Sequence, residues 1–297
     1  MKRKSKIIDY LILMRVNQWV KNLFVFLPLF FDLKLNNVLL LYKTSLAFLA
    51  VSFCASAVYI FNDYHDIAED RIHPIKSKRP LASNAVSVRV SFLLVGLLLF
   101  FGLVIGFSLG TTVLFWLIAY ILSNLFYTLL LKHITLIDIF VIAFNFTIRI
   151  IIGGIVCSVN NSSWLILATI LFALFIALAK RRDDVLIYID KGDKTRKVID
   201  SYNLDFLNAA IIIMSTILIV CYVMYTMSAF SIDKFHTDKL YLTVVFVILG
   251  IMRYLQMIFV LNQSGSPTEI FLKDRFIQLT IIGWALTFYA IVYNVHF

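Results

Sequence analysis

Nine mostly apolar stretches, each near 20 residues, run through this chain: 16–34, 38–61, 90–109, 111–131, 134–156, 163–180, 205–229, 239–261 and 274–295. A helix that crosses a bilayer needs about 20 such residues. The runs are continuous rather than alternating, which argues against a membrane β-barrel. Hydrophobic residues make up 61% of the 297 and charged residues 15%, against about a quarter charged in soluble chains. Too little polar sequence remains to cover nine apolar helices in water. The expectation is an all-α polytopic membrane protein of about nine transmembrane helices, a single domain over residues 1–297. The first run is the most interrupted, by Lys21, Asn22 and Pro28.

The net charge of +10 comes from 27 Lys and Arg against 17 Asp and Glu. Its placement points to a bilayer and not to nucleic acid. Basic residues crowd the N-terminus and alternate loops, at 71–89, 132, 180–197 and 273–275, while the opposite loops carry little beyond Lys34, Lys234 and Lys239. The positive-inside rule then predicts a cytoplasmic N-terminus and an outer C-terminus in the inner (cytoplasmic) membrane. The basic start followed by an apolar run reads as an anchor and not a cleaved signal. Cys54, Cys157 and Cys221 are far apart and form no CxxC pair, and no HExxH occurs. Chemistry is therefore expected at the cytoplasmic loops 62–89 and 180–204.

The first of these loops holds "FNDYHDIAEDRIHPIKSKRP". Asn62, Asp63, Asp66 and Asp70 read NDxxDxxxD. If the second helix continues past Phe61, Asp63, Asp66 and Asp70 lie at i, i+3 and i+7 on one face. Three carboxylates on one face repel unless a cation joins them. Hard oxygen ligands without Cys favour Mg²⁺, with Mn²⁺ possible. Mg²⁺ is commonly shared between carboxylates and substrate phosphates, so the spacing predicts a diphosphate ligand. Lys76, Lys78 and Arg79, which follow, suit its oxygens.

The second loop, from Leu178, places Lys180, Arg181 and Arg182 before Asp183 and Asp184, with Tyr202 further on. Asp184 either ligates a second metal or orients Arg181. The basic cluster either anchors the topology or grips a phosphate. In the fifth run Asp138, Asn145 and Arg149 share one stripe, and an intramembrane Arg is a functional candidate by default; an internal Asp or Asn partner serving packing is the alternative. Tyr127 and Lys132 fall near the same cytoplasmic mouth, where a belt aromatic and a snorkelling lysine are also ordinary.

Nine runs with NDxxDxxxD at the end of the second resemble the UbiA superfamily of intramembrane prenyltransferases. One departure is that the second acidic motif of that superfamily, usually DxxxD, here reads KRRDD. Five strings are closer to one branch, the decaprenyl-phosphate phosphoribosyltransferases: "RVNQWVKNLFVFLPLF", "NDYHDIAEDRIHPIKSKRPLAS", "LIDIFVIAFNFTIRIIIGG", "KRRDD" and "GSPTEIFLKDRFIQL". The resemblance implies transfer of 5-phosphoribosyl from phosphoribosyl diphosphate to a polyprenyl phosphate. It implies a metal on Asp63, Asp66 and Asp70, with Arg181 and Asp184 completing the catalytic set. The implied substrate-binding residues are Asn62, His73, Lys76, Arg79, Lys21, Tyr127, Lys132, Arg149, Lys180 and Tyr202. The acceptor phosphate is already an anion, so no general base is required. The competing expectation is a prenyl-diphosphate transferase acting on an aromatic or other lipid acceptor. A transporter would show internal repeats, and none is convincing.

Overall fold

The computed structural model describes residues 6–72, 76–159, 161–191, 197–261 and 267–293. Among them all regular structure is helical. The α-helices are α1 (Lys6–Leu13), α2 (Leu27–Phe31), α3 (Val38–His65), α4 (Ile67–Ile72), α5 (Val88–Leu109), α6 (Thr111–Leu129), α7 (Ile137–Val156), α8 (Ser163–Lys191), α9 (Leu204–Met227), α10 (Ala229–Phe235), α11 (Val244–Phe259), α12 (Pro267–Lys273) and α13 (Arg275–Val292). Among the described residues eight spans are long and apolar enough to cross a bilayer: α3, α5, α6, α7, α8, α9, α13, and α11 with the 3-10 turns from Lys239. The chain is a multi-pass α-helical membrane protein.

Against the expectation of about nine spans, the described residues give eight. The first run, 16–34, is not a spanning helix. It forms a 3-10 segment, Val16–Phe26, followed by the five-residue α2 with Pro28 in its first turn. A 3-10 run of eleven residues is unusual and needs tertiary support. Trp19 Nε1 donates to Ser56 Oγ (3.0 Å) and Asn22 Nδ2 to Ser52 Oγ (2.9 Å), both on α3. Gly153 of α7 lets the segment come closer still, since a Cβ there would lie 2.1 Å from the Val25 carbonyl oxygen.

Two compact units emerge, residues 1–132 with 144–161, and residues 133–143 with 162–297. In the first, α3 is capped by Asn37, whose side chain accepts from the Leu40 N–H. Its buried face is built of small residues, Ala47, Ala50, Cys54, Ala55 and Ala57. Gly102 of α5 seats against it, where a Cβ would meet Cys54 Sγ at 2.8 Å and the Ala50 carbonyl at 3.2 Å. Lipid provides no hydrophobic drive between helices, so close approach of small residues must hold them. The other face of α5 exposes Leu93, Leu97, Phe100, Phe101, Val104 and Phe107, as a lipid-facing surface should.

In the second unit, α8 runs unbroken to Lys191. Residues 180–191 are therefore helix and not the loop expected there. No Gly or Pro interrupts Ser163–Lys191, and Arg181 bonds Asp184 one turn ahead. Packing of α9 on α8 and of α13 on α11 completes the unit. Tyr222 on α9 links Thr243 Oγ1 (2.7 Å) and Trp284 Nε1 (2.6 Å).

Candidate active site

The acidic motif sits at the end of α3 in the first unit, and the helix stops sooner than one continuous acidic face requires. His65 is its last residue, and Asp66 is the cap, with φ −94° and ψ 9°, outside the helical region. Asp63, Asp66 and Asp70 thus do not share one helical stripe. The break turns α4 so that Asp63 and Asp70 converge on one atom. Arg79 Nη1 donates to Asp63 Oδ1 at 3.1 Å and to Asp70 Oδ2 at 2.6 Å. Arg15 donates a second, short bond to Asp63, and its guanidinium lies 5.1 Å over the Tyr59 ring. Both carboxylates are buried. The loop bearing Arg79 is fixed by Arg71, which donates to the Ala82 carbonyl (3.3 Å) and Asn84 Oδ1 (3.0 Å).

Asp66 turns elsewhere. It accepts from Lys132 Nζ (2.8 Å) and Asn62 Nδ2 (3.2 Å) and bonds His65 Nδ1 (3.0 Å). Burial pushes its carboxyl upward, but the Lys132 and His65 bonds outweigh burial and hold it below the usual range. Lys132 is buried in this ion pair, so it is not a snorkelling surface lysine. Asn62 Oδ1 accepts from Thr128 Oγ1 (3.2 Å). Lys76 and Tyr127 are half-buried in the same unit. His73 lies outside the described residues.

Deeper in this unit is Arg149, 3% exposed. Nε donates to Asn22 Oδ1 (2.8 Å), Nη1 to the Asn145 carbonyl (2.5 Å) and Nη2 to Tyr120 Oη (3.0 Å). Its partner is thus an Asn from the N-terminal segment; Asp138 of the same sequence stripe is engaged elsewhere. Lys21, next to Asn22, is half-buried.

In the second unit Arg181 is 1% exposed and Asp138 0%. Arg181 Nε donates to Asp138 Oδ2 (2.5 Å) and Nη1 to Asp184 Oδ2 (2.8 Å). Two carboxylates, Asp138 and Asp184, occupy the planar fork of Arg181. Tyr202 Oη donates to Asp138 Oδ1 (2.8 Å) and accepts from the Leu136 N–H (2.9 Å). Burial, reinforced by the neighbouring carboxylate, pushes the Tyr202 hydroxyl up to about 12, so it stays protonated and donating. Arg182 bonds Asn208 Oδ1 and the Ile258 carbonyl, both at 2.8 Å, closing the C-terminal end of α11. Lys180 is exposed on α8.

Sequence spacing had not paired Arg15 with Asp63, Asn22 with Arg149, or Asp138 with Arg181. These partners stand 48, 127 and 43 residues apart. The one available signal was the presence of charged or amide residues inside otherwise apolar runs.

Among the described residues no three His, Cys, Asp or Glu side chains gather in a metal-ligating group. Asp63 and Asp70 nevertheless present hard oxygen donors to a shared cation, the Arg79 Nη1. That donor set suits a divalent hard cation taking the guanidinium's place.

Together these features define a membrane-embedded helical protein with its ionic groups buried in pairs at helix ends. The UbiA prenyltransferase family model matches residues 33–279, and the chain belongs to that family. It is 31% identical to the decaprenyl-phosphate phosphoribosyltransferase of Mycolicibacterium smegmatis over 94% of this chain and 91% of the relative. It is 29% identical to the protein of the same name from Mycobacterium tuberculosis, over 94% and 92%. Among solved structures, a UbiA homologue from Archaeoglobus fulgidus bound to GPP and Mg²⁺ superposes with a TM-score of 0.71 at 18% identity, over 97% of this chain and 99% of that one. The chain is a UbiA-type transferase.

Proposed function

We propose that this chain transfers 5-phosphoribosyl from phosphoribosyl diphosphate to a polyprenyl phosphate and releases diphosphate. The observation that carries this reading is its end-to-end similarity to relatives that bear the phosphoribosyltransferase name. The bond from ribosyl C1 to the diphosphate oxygen breaks, and the electron pair leaves with diphosphate. A lipid phosphate oxygen forms the new bond to C1. No proton need be removed, so the His65–Asp66 pair is not required as a base.

Asp63 and Asp70 are the residues that would hold the divalent metal, with Asp66 within the same motif. When bound, Mg²⁺ or Mn²⁺ supplies positive charge to the leaving diphosphate. Arg79 exchanges its carboxylate partners for diphosphate oxygens, and Lys76 and His73 of the same string take part in holding the donor. Charged bonds of this kind contribute about 1.5–3 kcal/mol each. Asn62 and Lys132 orient Asp66. In the second unit Arg181 pairs with Asp184 and Asp138, and Tyr202 with Asp138; Asp184 is the carboxylate proposed to serve the reaction. Tyr127 in the first unit and Lys180 in the second are each proposed as substrate-binding residues. The charged helix ends face the cytoplasm of an inner membrane, as the distribution of Lys and Arg supports.

The test is a membrane assay that pairs radiolabelled phosphoribosyl diphosphate with polyprenyl phosphates of several lengths. Label should enter lipid in a divalent-metal-dependent way and be lost in Asp63→Asn. Transfer from a prenyl diphosphate to an aromatic acceptor, with phosphoribosyl diphosphate unused, would overturn the reading in favour of an ordinary prenyltransferase.

A further inference from the structure

α1 joins the first unit by one side only. Leu13 is fully buried, and Tyr10 packs with it in a cluster that holds Ala57 and Ile60 of α3, Leu81, Val86 and Leu98 of α5. Ile60 stands near the end of α3, and Leu81 and Val86 lie just before α5, so α1 sits at the level where α3 ends and α5 begins. Ile7, Ile8, Leu11 and Ile12, spaced i, i+1, i+4 and i+5, share the face opposite Leu13, and all four are exposed. A helix of eight residues is about 12 Å long, too short to cross about 30 Å of hydrocarbon. Beyond its end the Met14 carbonyl accepts from Ser56 Oγ at 2.8 Å. Arg15, which bonds Asp63, then takes φ 51° and ψ 48°. A non-glycine residue keeps that left-handed conformation only where its surroundings over-determine it. α1 is therefore held at a rigid corner, and its bare apolar face is a fixed surface.

Four large aliphatic side chains on one exposed face call for a neighbour. Two observations identify it. The stripe continues a lipid-facing surface: Leu94, Val95 and Leu99 of α5 pack in the same cluster as Leu13, while Leu93 and Leu97 of α5 are exposed beside them. The charge of the sequence around α1 is of one sign. Lys2, Arg3, Lys4 and Lys6 precede or open the helix, and Asp9 is the only acid before Arg15. Cations next to an apolar helix face suit the boundary of an anionic bilayer, where aliphatic side chains enter the acyl edge and basic groups meet lipid phosphates. We infer that α1 is an interfacial helix that docks on the anionic phospholipid headgroups of the leaflet bordering the acidic motif. The surface goes beyond the proposed reaction and does not depend on it, since neither substrate takes part.

The full chain with Ile8→Trp is placed in nanodiscs of phosphatidylcholine that carry a minor fraction of brominated phosphatidylglycerol or, in parallel, of brominated phosphatidylcholine. Quenching of the wild type's own tryptophans is subtracted. Each basic residue near an anionic surface favours the anionic lipid about fivefold. Brominated phosphatidylglycerol should therefore quench the added ring at a fraction at least about fivefold lower than brominated phosphatidylcholine requires. Bromines near the headgroup should quench more than bromines at the chain end. High salt should bring the two lipids level, and so should Lys2→Gln, Arg3→Gln, Lys4→Gln and Lys6→Gln together. Ile12→Trp, on the same face, should behave alike and serves where Ile8→Trp does not fold. Equal quenching by the two lipids at low salt would overturn the anionic recognition. Stronger quenching from the chain end would place α1 in the hydrocarbon core, and none from either lipid would mean that protein or water covers the face. Each of those results overturns the inference and leaves the proposed reaction standing.

Discussion

Replacing Arg181 separates two roles for a buried guanidinium, holding carboxylates or holding a substrate. The wild-type side chain makes two charged bonds, to Asp138 at 2.5 Å and to Asp184 at 2.8 Å. Lysine keeps the charge but has one ammonium where arginine has a fork. It can serve Asp138, which is fully buried, only by releasing Asp184, whose side chain is 14% exposed and reaches water. One charged bond is lost, about 1.5–3 kcal/mol, or roughly a ten- to hundredfold shift toward the unfolded state. Arg181→Met leaves Asp138 with Tyr202 alone and should cost about 3–5 kcal/mol, the usual penalty for stripping one partner from a buried pair. Adding Asp138→Asn to Arg181→Met removes the stranded charge, so the double variant should be more stable than the single one. Unfolding of the purified chain in mixed micelles, titrated with SDS and followed by tryptophan fluorescence, gives the ranking wild type, Lys, double variant, Met. An Arg181→Lys protein with an unshifted unfolding midpoint but a raised KM for either substrate would refute this reasoning. It would return Arg181 to direct phosphate contact.

Gly153→Ala should destabilise the first unit by about 1–3 kcal/mol, as overpacking does, because the new methyl meets the Val25 carbonyl at 2.1 Å; the thermal midpoint checks it. Asp63→Asn and Asp70→Asn should each abolish phosphoribosyl transfer in the membrane assay while the protein still inserts, and near-normal turnover in both at saturating Mg²⁺ would remove them from the metal site. Asp274, which caps α13 and pairs with Arg253 at 2.8 Å, is held below the usual carboxylate range chiefly by that arginine. Its stabilising effect is therefore complete above about pH 4, the unfolded value, and fades as pH falls through the lower folded value. The difference in unfolding midpoint between wild type and Asp274→Asn should shrink as pH drops below 4; a difference that grows on acidification would reverse the assignment.

The apolar runs displayed most of the architecture in advance, since a bilayer forces about 20 apolar residues on any helix that crosses it. They misled at 16–34, where apolar content was adequate but Trp19, Asn22 and Gly153 draw the segment into a 3-10 path against α3 and α7. The acidic motif was legible as chemistry but not as geometry. Its regular spacing assumed an unbroken helix, and the cap at Asp66 sends two carboxylates to Arg79 and the third to Lys132. Likewise KRRDD showed charge without orientation. Arg181 turns inward to Asp138 and Arg182 to the end of α11, a division that depends on tertiary neighbours no local pattern encodes.

The 3-10 segment at Val16–Phe26 also bears on how the protein is made. Non-helical backbone at membrane depth is tolerated only when other protein surrounds it. Part of that surround is Arg149, which bonds Asn22 across 127 residues of sequence. At about 5–20 residues per second of synthesis, roughly 6–25 seconds separate the emergence of Asn22 from that of its partner. During that interval the segment's side-chain bonds to Ser52 and Ser56 of α3 can form, but its bond to Arg149 cannot. An early part of the first unit thus completes its packing only once α7 has been made, and a variant that weakens that docking leaves the segment incompletely seated.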